Sequence, residues 1–203
     1  MLKHISKLMV VLAMSFYVYS TSLYSKEKAK DPETHTSNSV EREIHKHAIG
    51  VGLGQTFLLG QFKNHGINQT TADILYTYTA SYSFDLLVNV HFSDHEFEGK
   101  KVKLAGYNMS IKGRSYEFDA FSPFLLGGLG FYTPQITEKD GTRSDIKNTF
   151  GFNLGGGADL RLNEKVIIGL MAQFHKPFEI KQEETDNVTG SYLKLLLTAM
   201  YLF

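Results

Sequence analysis

His91-Phe92-Ser93 sets an imidazole and a hydroxyl two residues apart, and Glu96 and Glu98 follow closely. On an extended chain that spacing puts both side chains on one face. A histidine able to take a serine proton, with a carboxylate to orient it, is a minimal set for attack on an ester. Other groupings also invite chemistry. His45 and His47 share the same spacing, but a metal needs converging ligands with carboxylate or sulfur help, so solvated polar residues are expected there. Asp159, Arg161 and Lys194 could meet as charges inside a fold.

Several chemistries are excluded by composition. The 203 residues contain no cysteine, which removes thiol catalysis, disulfides, thiolate metal sites and lipoprotein acylation. Lys+Arg and Asp+Glu are both 21, so no basic excess argues for nucleic acid. The glycines Gly50, Gly52 and Gly54 have period two rather than the GxGxxG spacing, no helical pattern follows them, and no GKS or GKT occurs. No cofactor or metal is expected.

The positioning elements read as strands. Gly 18, Tyr 11 and Phe 15 without Trp is a strand-forming palette. In 47–59, Ile49, Val51, Leu53 and Phe57 oppose the three glycines. In 73–84, Ile74, Tyr76, Tyr78, Ala80, Tyr82 and Phe84 oppose Leu75, Thr77, Thr79, Ser81 and Ser83. Leu86, Val88, Val90 and Phe92 oppose Asn89, His91 and Ser93. Ala105, Tyr107, Met109 and Ile111 oppose Gly106, Asn108 and Ser110. The run 121–132 is apolar on both faces, with Gly128 and Gly130 on the side of Phe124. Phe150, Phe152, Leu154, Ala158 and Leu160 oppose Gly151, Asn153, Gly155, Gly157, Asp159 and Arg161. Val166, Ile168, Leu170, Ala172 and Phe174 oppose Gly169, Gln173 and His175. Leu193, Leu195, Leu197, Ala199, Tyr201 and Phe203 share a face at the end.

That makes about eight strands of the length a tilted strand needs to cross a bilayer core, roughly 9–11 residues. Long polar links are expected at 60–71, 93–101, 133–148 and 176–188, alternating with shorter ones at Asp85, 112–120 and Asn163–Glu164. Pro123 opens a strand, and Pro134 and Pro177 fall in or beside loops. The expected fold is all-β: a closed antiparallel up-and-down transmembrane β-barrel, small and polar residues inward and large apolar ones outward. A soluble lipocalin-like barrel is the alternative, but it requires a charged outer face.

Ahead of the barrel, Lys3, His4 and Lys7 precede an apolar run from Leu8 to Tyr19 and then Ser20, Thr21 and Ser22. This pattern predicts a signal peptide over 1–25, with its boundary at 20–25, and export. Residues 26–46 are polar enough to be a flexible periplasmic leader, leaving 47–203 as the barrel.

The signal, GVGLG, SPFLLGGLGFY, FGFNLGGGADLRL and the closing aromatic together resemble the outer-membrane β-barrel domain family of Gram-negative bacteria, the small barrels akin to OmpX, OmpW and the OmpA membrane domain. The resemblance covers about 46–203. It implies a cell outer-membrane location, termini in the periplasm, outer-membrane lipid as surroundings, and the barrel-assembly machinery as partner. It also implies an assembly signal on the closing strand at Leu195, Leu197, Ala199, Tyr201 and Phe203. A structural or interaction role with long extracellular loops is expected. A narrow channel or binding barrel for small, possibly hydrophobic molecules is the alternative. A lipid A deacylase-like hydrolase ranks third, because that family's His-x-Ser faces lipid whereas alternation turns His91 and Ser93 inward.

Overall fold

Strict alternation over strands of this length leaves each strand one face for side chains packed together and one face for an apolar surround, and closure removes the unpaired edges. The computed structural model describes residues 46–81, 83–114, 121–182 and 187–203. The expected signal peptide and nearly all of the leader lie outside them. Eight strands form one closed sheet in chain order: β1 (His47–Leu59), β2 (Gln69–Thr79), β3 (Phe84–Phe97), β4 (Lys100–Arg114), β5 (Phe121–Thr137), β6 (Thr149–Arg161), β7 (Val166–Pro177) and β8 (Ser191–Leu202). Every neighbouring pair is antiparallel, and β8 closes on β1 through Ala48↔Leu202 to Leu59↔Ser191.

The faces fall as the alternation requires. Gly52, Asp73, His91, Asn108, Asn153, Gln173 and Lys194 point into the barrel, and Val51, Ile74, Phe92, Met109, Leu125, Leu154, Leu170 and Leu197 point out. The outer surface carries an aromatic cluster near each end. Phe131 and Phe150 meet edge to face at 5.3 Å, with Phe178 beside Phe150, near the loop end. His47 lies between Tyr78 and Phe203 at the end where β1 starts and β8 finishes.

The connections differ from the sequence expectation in three places. The turn after β2 comes earlier than Asp85: the amides of Ala80 and Ser81 both donate to the Phe84 carbonyl, so Phe84 opens β3 and Asp85 is an inward strand residue. The expected long link at 93–101 is instead the pair Glu98–Gly99, both at positive φ, the backbone a two-residue hairpin requires. Strands β3 and β4 therefore stand as one extended hairpin, with Glu96 bridged to Lys101, and long and short links do not alternate strictly. Pro134 lies within β5 opposite Leu104 rather than in a loop. The β6 ladder has stopped at Tyr132↔Thr149, so Pro134 sits where β5 has a free side and can spare an N–H.

The lumen is filled in layers. At the loop end Leu58, Val102, Leu104, Tyr132, Ile136 and Tyr192 pack with Phe62 of the short 3-10 turn η1 (Gly60–Asn64) and with Ile180 and Val188 of the last loop. Toward the chain termini Leu75, Leu87, Phe124, Leu126, Met171 and Leu196 form a second apolar layer, with Met200 against it. Between the two lies a polar layer.

Candidate functional site

Among the described residues, the polar layer brings together the largest group of buried chemistry-bearing side chains. Asp73 on β2 is its centre. Its Oδ2 accepts from Lys194 Nζ at 2.5 Å and from Asn89 Nδ2 at 2.6 Å, and its Oδ1 lies 2.7 Å from His91 Nδ1. Lys194, His91 and Asp73 are buried almost completely. A charge in such a place persists only when paired and hydrogen-bonded, and here the carboxylate is given three donors. The registers Asp73↔His91, Asn89↔Asn108 and Gln173↔Lys194 bring these side chains to one level.

His91 continues the chain. Its Nε2 is 3.0 Å from Ser93 Oγ, and Ser93 Oγ is 2.9 Å from His95 Nε2, while His95 Nδ1 donates to the Ile67 carbonyl at 2.8 Å. Around the barrel the layer continues through Ser110, whose hydroxyl donates to Asn153 Oδ1 at 2.8 Å, and Gln173, which donates to the same oxygen at 3.0 Å. The Tyr192 ring is stacked between His91 and His175, at 5.5 and 4.7 Å.

Asp73–His91–Ser93 thus has the hydrogen-bond order of a nucleophilic triad, but with Asp73 rather than Glu96 or Glu98 as its acid. Both glutamates are exposed near the tip of the β3–β4 hairpin. Ser93 faces the lumen, beneath the apolar layer that η1 and the last loop complete, and its oxygen is already shared with His95. Oxyanion stabilisation needs free donors, whereas the donors nearest Ser93, the rings of His91 and His95, are turned to Asp73 and Ile67 on their other nitrogens. A serine-directed fluorophosphonate is therefore expected to leave Ser93 unmodified in the folded barrel. Mass spectrometry after incubation checks this, and labelling of Ser93 would restore the hydrolase reading.

The other expected constellation divides. Asp159 pairs with Lys112, whose ammonium also stands 4.0 Å over the Phe124 ring, and Asp85 takes a two-point contact from Arg114 at 2.5 and 3.0 Å. These pairs line the terminal rim, below the second apolar layer. Lys194 belongs to the polar layer above it, so Asp159, Arg161 and Lys194 do not form one network. At the opposite rim Glu138 joins Lys100 and His65 at 3.0 and 2.7 Å. The hydrogen bond from Lys100, with help from His65, holds its carboxyl below the ordinary range despite some burial. His47 meets Tyr76 Oη at 2.7 Å; His45 lies outside the described residues. Among the described residues no cluster of three or more His, Asp or Glu side chains could hold a metal ion.

No protein-family model and no curated protein sequence matches the chain. Solved structures do. Neisserial surface protein A superimposes with a TM-score of 0.65 at 11% identity, covering 78% of this chain and 97% of that one. The fold is that of the small outer-membrane barrels. Ail, the attachment invasion locus protein of Yersinia pestis, matches at 0.52 and 12% identity, over 79% of this chain and 100% of its own. OprG from Pseudomonas aeruginosa matches at 0.53 and 12%, over 80% and 98%. At such identities the likeness to these barrels establishes architecture and leaves activity to the site itself.

Proposed function

We propose that the chain is a non-enzymatic outer-membrane barrel that presents its loops for surface interaction. The observation that carries this reading is the filled lumen: an apolar layer, a hydrogen-bonded polar layer, a second apolar layer and a rim of ion pairs succeed one another along the axis. Among the described residues, such an interior packs side chains at successive levels of the lumen and supports the wall. The chemistry available to a partner then lies on the loops, 138–148 and 178–190 being the longer ones between described strands.

The outer face supports a place in the membrane. Leu125, Leu197 and Ile111 are 74%, 64% and 62% exposed within a band of similar side chains that circles the barrel. A soluble monomer rarely leaves such a band open, whereas hydrocarbon between the two aromatic clusters accommodates it. Outer-membrane lipid is thus the proposed surround. The outward row Leu195, Leu197, Ala199, Tyr201 and Phe203 on the closing strand is the proposed recognition element for the assembly machinery.

The test has two arms. Refolded into vesicles and fused to a planar bilayer, the barrel is expected to give no discrete conductance steps. Cells displaying it are expected to bind protein- or glycan-coated surfaces, and to lose that binding when 138–148 and 178–190 are replaced by short turns. Stepwise conductance, or adhesion unaffected by loop replacement, would overturn the proposal.

A further inference from the structure

The hydrogens around Ser93 do not balance if all its neighbours are neutral. His91 Nδ1 faces the Asp73 carboxylate at 2.7 Å and Thr71 Oγ1 at 3.2 Å, and the Thr71 hydroxyl itself reaches toward the Phe92 carbonyl. Nδ1 of His91 therefore carries a hydrogen. His95 Nδ1 faces the Ile67 carbonyl, which can only accept, so it carries one as well. In a neutral ring the second nitrogen is then a bare acceptor. Both bare Nε2 atoms would point at the same Ser93 oxygen, at 3.0 and 2.9 Å. A serine hydroxyl has a single hydrogen and can satisfy one of them. The other would meet oxygen lone pairs at hydrogen-bond distance, inside a layer where an unsatisfied buried acceptor is costly.

We propose that His91, Ser93 and His95 form a proton-binding site: the bridged geometry holds one proton more than the three side chains carry when neutral, and the site touches the first loop through His95 and Ile67. With it in place every donor meets an acceptor. His91 Nε2–H donates to Ser93, Ser93 O–H donates to His95, and His95 Nδ1–H donates to Ile67. The proton belongs on His91, beside the Asp73 carboxylate. The charged and titratable groups near the bridge are Asp73 from β2, Asp94 on β3 itself, Lys194 and Tyr192 from β8, His175 from β7 and Tyr132 from β5; β4 presents Val102, Leu104 and Gly106 opposite. Asp73 and Lys194 cancel formally, so the bridging proton is the net charge of the layer.

The coupling to the loop is direct. Ile67 lies between η1 and β2, and Gly66 beside it packs so closely on His95 that an added Cβ would stand 2.7 Å from His95 Cβ. When the proton leaves, the Ser93 hydrogen serves one imidazole and the other loses its hydrogen bond to Ser93. The bridge is thus complete at lower pH and opens as pH rises.

Nitrogen-15 spectra of ring-labelled histidine in the barrel, held in lipid, test this without a variant. His91 and His95 are expected to change together in one step, from a doubly protonated ring with a neutral partner to two neutral Nδ1–H rings. Ser93→Ala is expected to remove the joint step. So is His95→Gln, because the amide can donate to Ser93 and makes the extra proton unnecessary. If both rings stay neutral throughout, or titrate independently with and without Ser93, the proposal fails.

Discussion

Gly54→Ala is expected to leave most of the chain unable to close. Gly54 stands on the seam where β1 meets β8, opposite Leu196. A Cβ there would overlap the Leu195 carbonyl oxygen and come within 2.8 Å of its carbon and 2.9 Å of Leu196 Cα, all backbone atoms of the closing strand. No rotamer relieves such a contact, so β8 must move away and the seam hydrogen bonds go with it. Overpacking alone costs about 1–3 kcal/mol, and each amide or carbonyl left unpaired at membrane depth costs several more. Gly52→Ala is the control on the same seam, since its Cβ would meet first the end of the Leu196 side chain, at 3.2 Å. After refolding into vesicles, the heat-modifiable band on an unboiled gel is expected to be mostly lost for Gly54→Ala and close to parental for Gly52→Ala. Equal yields would show that the seam is not set by backbone proximity.

This asymmetry also explains what the sequence could reveal. Period-two alternation reports which face a residue takes, and inward volume forces glycine wherever strands pass closely, so strand number, closure and facing are visible in residues such as 50–54 and 150–160. Alternation does not report register. Pairing Asp73 with Lys194 requires knowing that β2 and β8 flank β1 at matching heights, which only the closed sheet supplies. A hint was present: aspartate is depleted in strands, and its inward position two residues before Leu75 demanded a partner. Strand ends were obscured for another reason. Ala80 to Phe84 keeps the alternation of β2 although the chain turns there, and 93–101 is polar although it stays extended, because the hairpin rises into water where the outward face need not be apolar.

Asp73→Asn should be the most damaging single change in the polar layer, because it leaves the Lys194 ammonium buried without its counter-charge. Breaking a buried pair from one side typically costs about 3–5 kcal/mol. The asparagine oxygen still accepts from His91, but its amide takes the place of Oδ2 and turns donors toward Lys194 and Asn89, so those two hydrogen bonds are lost together with the charge. Adding Lys194→Met removes the stranded charge and replaces it with an unbranched side chain of similar length. Buried pairs exchanged for apolar residues are often neutral or better. The double variant is therefore expected to regain most of the lost stability, with a urea midpoint in vesicles near the parental one and far above that of Asp73→Asn. Should the single variant not fold, the refolded fraction reports the same order. If the double variant is no more stable than Asp73→Asn, the pair is not what holds this layer. The Asp73 carboxylate would then matter chiefly as the acceptor for His91, and the lumen would owe its stability to the two apolar layers on either side.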